Sequence, residues 1–288
     1  MKMPAFPNVR LSRRDLHFFF LCDCSGSMAA LGKMQSLNQS IKQSLPNMVK
    51  VARENPEAQL LVRVINFGDD AQWHHEKPTK VDDFEWDDLK PGGLTAMGAA
   101  LELVASELTS EVMGERALPP IILLISDGQP TDDFEKGLRA LDETEWGRVA
   151  VRLAIAIGSD VDLGLLKRFT GELDEETQRK AGQGDKQASR VLSASNAVKL
   201  AQYIEWVSTV VVGSVSLPAT QLNTTDQGDK STLPIVPATV LADPHDMFPA
   251  TVLANASDEY PATLIASEDL AVPSTVLADP DQEEDVVW

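Results

Sequence analysis

The chain has 288 residues, with 25 Lys plus Arg against 44 Asp plus Glu, and a formal net charge of −19. That length suits one domain with a long appendage or two small domains, and the lack of a basic stripe for phosphate contacts excludes a nucleic-acid binder. No apolar segment approaches the roughly 18–20 residues of a membrane span. The apolar run that follows the charged stretch 1–14, His17 to Cys22, is too short for the core of a secretory signal. Two cysteines, Cys22 and Cys24, cannot build a disulfide framework. The expected setting is the cytoplasm, without nucleic acid or membrane as partner.

Strand and helix signals alternate through the first 216 residues. Leu16 to Cys22 is an apolar run that stops at Asp23, as a buried parallel strand would. Met34, Leu37, Ile41, Leu45, Met48 and Val51 follow at helical spacing, with Pro46 expected to kink or divide the helix. Gln59 to Phe67 reads as a second strand and Trp73 to Glu76 as a weaker third, in which His74 and His75 point to opposite faces. Met97, Leu101, Val104, Leu108 and Val112 mark one amphipathic helix. Pro120 to Ser126 is a fully apolar strand halted by Asp127-Gly128, and Asp132 with Glu135 has the spacing of a capping box for the next helix. Val149 to Ile157 is a further buried strand. Asp160 is expected to cap a short helix ending at Gly171, residues 172–190 to form a polar loop, Val191 to Ser193 an edge strand, and Asn196 to Val212 the last helix. Trp86 and Trp146 read as packing or loop anchors, and the cysteines as small core or loop residues. Alternating strands and helices mean crossovers onto a parallel sheet covered on both faces, so the expected fold is doubly wound α/β with a mostly parallel sheet.

The organisation expected is a lead over 1–14, one domain over 15–216 and a tail over 217–288. The tail carries 13 acidic residues, Asp226 to Asp285, against one base, Lys230. It repeats P-[AS]-T-[VL]-[LI]-A every 12 residues from Pro237, Pro249, Pro261 and Pro273, which places threonines at 239, 251, 263 and 275; an irregular copy at Pro218 adds Thr220. High acidity with few aromatics favours disorder. Three readings of this string are open: acceptor threonines for a kinase, extended peptides that add to a partner's sheet edge, or a plain spacer. The regular period argues against the spacer.

The main chemical signal lies where the first strand ends, in Asp23-Cys24-Ser25-Gly26-Ser27-Met28. Ligands of open parallel sheets bind at the carboxyl ends of strands. Asp127 ends a central strand at the same edge, and Thr95 follows Pro91-Gly92-Gly93-Leu94 just before a helix. Two carboxylates and three hydroxyls are all-oxygen donors, which suit a hard cation such as Mg²⁺. No phosphate loop G-x-x-x-x-G-K-[ST] and no nucleophile elbow G-x-S-x-G is present, so a non-enzyme is expected.

The segments DCSGSM, GGLTAMG and LLISDGQPTDD together resemble the metal-ion-dependent adhesion site of von Willebrand factor A domains, over a stretch from about Asp15 to Ser214. IAIGSDVDLGLLKRFTG and AVKLAQYIEWVS look most like the bacterial tellurium-resistance (TerY-like) branch, which commonly has Thr where Cys24 stands. The resemblance implies that Ser25, Ser27 and Thr95 ligate Mg²⁺, or another divalent cation such as Mn²⁺, directly. Asp23 and Asp127 would act mostly through water, and an Asp or Glu of a protein partner would complete the shell. It also implies a bacterial stress-signalling setting, with a Ser/Thr kinase, a metal-dependent protein phosphatase and a phosphothreonine reader as partners. The alternative is an adaptor subunit that recruits partners to an ATP-driven metal-insertion or remodelling complex.

Overall fold

The computed structural model describes residues 13–55, 57–158, 161–172 and 190–215. The tail threonines Thr220, Thr239, Thr251, Thr263 and Thr275 lie outside them, as do Asp160 and most of the loop expected over 172–190. Among the described residues, six strands form one sheet: β1 (Arg14–Asp23), β2 (Ala58–Phe67), β3 (Ala71–Lys80), β4 (Ile121–Ser126), β5 (Val151–Ile157) and β6 (Val191–Ala194). Their order is β3-β2-β1-β4-β5-β6, and every pairing is parallel except β2 with β3. The expected doubly wound α/β fold is what the chain adopts.

Strand β1 shows why both faces must be covered. Phe18, Phe20 and Cys22 point into one apolar cluster, whereas Phe19 and Leu21 point into the other, as the two-residue strand period demands. On the first face lie α1 (Lys33–Glu54) and α7 (Ala197–Trp206), which bury Leu37, Ile41, Met48, Leu200 and Ile204. On the second lie α2 (Met97–Glu107), α4 (Phe134–Glu143) and α6 (Leu163–Thr170). Two short helices, α3 (Ser110–Met113) and α5 (Glu145–Val149), lead into β4 and β5. A π-helical turn, Val207–Val211, joins α7 to α8 (Val212–Val215). Among the described residues, no helix is long and apolar enough to cross a membrane. Helices α2 and α4 approach closely through Gly98 and Gly137: a Cβ on either would collide with the other helix or its cap, so only glycine permits this packing.

Several local expectations are corrected. Helix α1 runs through Pro46 without a break. Pro46 is exposed, as is Lys42, whose carbonyl lost its usual N–H partner, so water can satisfy it while Ile41 and Met48 hold the buried face. Strand β3 spans ten residues rather than four, because pairing with β2 supplies the backbone partners that its polar sequence does not announce. The helix expected over Met97 to Val112 ends at Glu107, and Val112 falls in the separate turn α3. Val149 closes α5 instead of opening β5. Helix α4 is capped by Asp133, which accepts from the Lys136 N–H at 2.9 Å. Asp132 serves α2 instead, accepting from the N–H groups of Gly98 and Ala99 at 2.9 and 2.7 Å. A side chain 34 positions away in sequence is a cap that spacing alone does not reveal. Asp162, not Asp160, caps α6.

Beneath α2, the buried Arg63 pairs with Glu107 at 3.0 Å and lies 4.1 Å from the Trp73 ring centroid. His17 is 1% exposed beside it, and neither ring nitrogen has a hydrogen-bond partner. Burial first, and then the Arg63 charge, push its pKa down to about 4 from the ordinary 6.5. The unfolded chain therefore takes up a proton below pH 6.5 that the folded chain refuses until about pH 4. Stability from this group is complete above pH 6.5 and is lost as the pH falls towards 4. His17→Phe should flatten the pH dependence of urea unfolding across that window by about 1.4 kcal/mol per pH unit; an unchanged slope would assign the titration elsewhere.

Candidate metal centre

Parallel strands β1 and β4 are neighbours, so their carboxyl ends deliver Asp23 and Asp127 to the same edge of the sheet. Both are buried, at 0% and 3% exposure. Asp23 is held from two sides: its Oδ1 accepts from the Ser25 N–H at 2.8 Å and its Oδ2 from the Ser126 hydroxyl at 2.5 Å. The Ser25 and Ser27 hydroxyls share a hydrogen bond of 2.9 Å, and Ser27 Oγ donates to Asp127 Oδ1 at 2.7 Å. A continuous polar chain thus runs from one carboxylate to the other through the two serines.

Thr95 is brought to this chain by a separate loop. A Cβ built on Gly128 would lie 3.7 Å from Thr95 Oγ1 and 4.0 Å from Ser27 Oγ, so Gly128 leaves a space that both hydroxyls face. Backbone bonds fix the loop. Gly92 donates to the Cys24 carbonyl at 2.6 Å, Gly26 to Gly93 at 3.0 Å, and Ala96 to Gly68 at 2.9 Å. Gly93 sits at φ +86°, with Asp69 where a Cβ would stand, and Asp69 Oδ1 takes the Leu94 N–H at 3.0 Å. Thr95 exchanges bonds with Thr131, accepting from its N–H and donating its own N–H to Thr131 Oγ1. Three strand-end loops are therefore locked together, and all five residues singled out in the sequence meet.

Electrostatics explain the cluster's appetite for positive charge. Burial, the largest cause, raises the Asp23 pKa above the ordinary carboxylate value; hydrogen bonds from Ser126 and Ser25 oppose this, and the Asp127 charge adds to it. Lys33 at the start of α1 answers the repulsion, placing Nζ 2.9 Å from Asp127 Oδ2 with only 12% of its side chain exposed. Lys33 is a residue that sequence reading passed over; its place in the first turn of a helix gave no hint of a partner 94 positions away. The Lys33 ammonium rests against one oxygen of Asp127 beside an all-oxygen donor set, so the residues fit a divalent ion. Cys24, beside the ligand set, has its thiol pushed up to about 12 by burial and then by Asp23. Both cysteines are free and buried, so neither acts as a reactive thiol.

The family model of the von Willebrand factor type A domain matches residues 18–183. The chain belongs to the von Willebrand factor type A family. Similar solved structures include the von Willebrand factor type A protein from Catenulispora acidiphila, with 14% identity over 71% of this chain and 43% of that one (TM-score 0.49). The pilus adhesin SpaC from Lactobacillus rhamnosus GG matches with 12% identity over 68% of this chain and 30% of that one (TM-score 0.50). Proximal thread matrix protein 1 from the mussel byssus, with a zinc-occupied metal-ion-dependent adhesion site, matches with 15% identity over 71% and 48% (TM-score 0.48). At such identities the likeness is one of fold, and this chain spans less than half the length of each neighbour. No curated protein matches the chain.

Within this von Willebrand factor A domain, Ser126 is the support that the site residues share. Its hydroxyl donates to Asp23 and accepts from the Gly128 N–H at 3.2 Å. Ser126→Ala leaves a buried carboxylate oxygen without its donor and should lower the free energy of unfolding by about 2 kcal/mol at neutral pH, measured by urea denaturation. A loss below a few tenths would mean that water replaces the hydroxyl.

Proposed function

We propose that this von Willebrand factor A domain is a divalent-cation-dependent protein-interaction module. Ser25, Ser27 and Thr95 would hold the ion directly, and Asp23 and Asp127 through water. The observation that carries this reading is the Asp23–Ser25–Ser27–Asp127 hydrogen-bonded chain at the carboxyl edge of the sheet, its two carboxylates buried and Ser27 open to solvent. The ion, Mg²⁺ or Mn²⁺, would lend a Lewis-acidic position for the carboxylate of a partner's Asp or Glu. The chain's own residues supply the rest: Lys33 leaves Asp127 as the ion enters, and the Gly92–Gly93 loop holds Thr95 in place. Leu31 and Leu94, 59% and 58% exposed beside the site residues, give such a partner apolar surface around its carboxylate. Domains of this family are in general interaction modules, which favours binding over catalysis.

The setting proposed is cytoplasmic and bacterial, in a stress or tellurium-resistance signalling system with a Ser/Thr kinase and a metal-dependent protein phosphatase. The support is the resemblance of the segments after Ile155 and Ala197 to the TerY-like branch. Recruitment of partners to an ATP-driven remodelling complex is the second reading, favoured by the same open cation position. The repeat threonines Thr239, Thr251, Thr263 and Thr275, with Thr220, are proposed as kinase acceptors read by a phosphothreonine-binding partner; their 12-residue period supports this, since identical spaced sites raise avidity.

Calorimetric titration of Mn²⁺ should show one equivalent bound by the wild type, and at least about tenfold weaker binding by Ser25→Ala. Lys33→Met, which removes the competing ammonium, should bind more tightly; equal binding by all three proteins would overturn the site. Intact mass of protein from its native host, before and after phosphatase, should show increments of one phosphate that map to the repeat threonines. An unmodified tail in resting and stressed cells alike would refute the acceptor reading.

A further inference from the structure

The edge of the sheet opposite β6 holds a group of residues unrelated to the Asp23–Asp127 cluster. Adjacent residues of a regular strand face opposite ways, yet the rings of His74 and His75 lie 5.0 Å apart, edge to face. The β2–β3 register explains it: Val64 pairs with His75 but Ile65 pairs with Trp73, so His74 is an extra residue in β3. This bulge cancels the alternation and corrects the expectation that the two histidines face apart. Bulges of this kind re-aim side chains, and here two imidazoles are turned to one side.

They face Asp87 in the segment between the 3₁₀ turn Val81–Asp83 and the Thr95 loop. His74 Nε2 lies 2.9 Å from the Asp87 carbonyl oxygen. One ligand atom from each of His74, His75 and Asp87 lies within 4.8 Å of the others. Phe84 packs edge-on against His75 at 4.9 Å, and Trp86 lies 6.0 Å from His74. Trp86 is itself fixed by its Nε1–H bond to Asn38 of α1 at 3.0 Å, so the aromatic wall behind the imidazoles is anchored.

One atom in this arrangement is unexplained. His75 Nε2 is shut off from water and has no hydrogen-bond partner, a condition that native structures rarely leave without a reason. It stands 3.9 Å from Asp87 Oδ2, too far for a hydrogen bond. Closed to about 3.4 Å, the gap would suit a shared tetrahedral metal ion, whose bonds to imidazole nitrogen and carboxylate oxygen are each about 2.0–2.2 Å. The Asp87 side chain is 80% exposed and free to close on such an ion.

We propose that His74, His75 and Asp87 form a second metal site, one for a borderline transition ion such as Zn²⁺, clasping the edge strand to the segment before the Thr95 loop. Two imidazoles and one carboxylate select Zn²⁺ over Mg²⁺, because a hard cation prefers an all-oxygen shell. Three protein ligands leave a fourth position for water. The site lies two strands away from β1 and does not depend on the proposed function of the Asp23–Asp127 cluster.

The test is calorimetric titration of zinc chloride into the untagged full chain in excess Mg²⁺, with the same titration of Ser25→Ala to separate any zinc taken up by the all-oxygen cluster. The wild type should bind one equivalent of zinc. The paired variant His74→Gln/His75→Gln should lose it, and Asp87→Asn should bind at least about tenfold more weakly. Cobalt(II) in place of zinc should give visible bands that the paired variant lacks. Zinc uptake unchanged in the paired variant, or none by the wild type, would overturn the proposal. The exposed Asp87 position keeps the test decisive if the histidine variants fail to fold: wild-type zinc affinity in Asp87→Asn would overturn the three-residue site.

Discussion

Two carboxylates withdrawn from water at the ends of adjacent strands are the constraint around which this molecule is arranged. Asp23 and Asp127 are both buried, and like charges at close range in a medium of low polarity repel strongly. Burial costs Asp23 the most and the Asp127 charge the least, and hydrogen bonds and one ion pair offset both. Ser126 and the Ser25 N–H hold Asp23, Ser27 bridges towards Asp127, and the Lys33 ammonium lies against Asp127. A cluster that needs a lysine from the next helix to balance it is one that a divalent ion can occupy.

The parallel sheet makes the cluster possible. Because β1 and β4 run side by side in the same direction, residues that end each strand converge, and a third loop reaches them from α2. That loop is held by backbone bonds to Cys24, Gly26 and Gly68 and by the side chains of Asp69 and Thr131. Glycines at 68 and 93 allow the close approach. Asp132 then fixes the start of α2, so Thr95 is clamped between its loop and the helix that follows. The donors sit on a bonded scaffold, and Leu31 and Leu94, near the site residues in sequence, are exposed.

The β3 edge is organised by other means. Its polar sequence pairs antiparallel with β2, and its bulge turns two histidines towards Asp87. Such irregularity shields an exposed edge from pairing with another chain, and here it also gathers nitrogen and oxygen donors. Asn38 of α1, which accepts from both Trp86 Nε1 and the Leu89 N–H, ties the facing segment to the helix layer. The stretch from residue 84 to 95 thus carries both Asp87, which faces the histidine pair, and Thr95, beside the Asp23–Asp127 cluster.

The sequence by itself determined the strand–helix alternation, since apolar runs such as PIILLIS and the helical spacing of Met34 to Val51 depend only on local period. It also determined the oxygen-donor set, because Asp23, Ser25, Ser27, Thr95 and Asp127 each stand at a strand or loop end that the pattern marks. Tertiary structure decided what depends on partners remote in sequence. It alone shows Asp132 capping α2, Lys33 reaching Asp127, and β3 extended by its neighbour. Pro46 remains helical because packing of Ile41 and Met48 outweighs one missing hydrogen bond on the solvent face. The histidine pair is the plainest case: alternation predicts opposed rings, and one extra residue in the β2–β3 register reverses that outcome, which no reading of β3 alone contains.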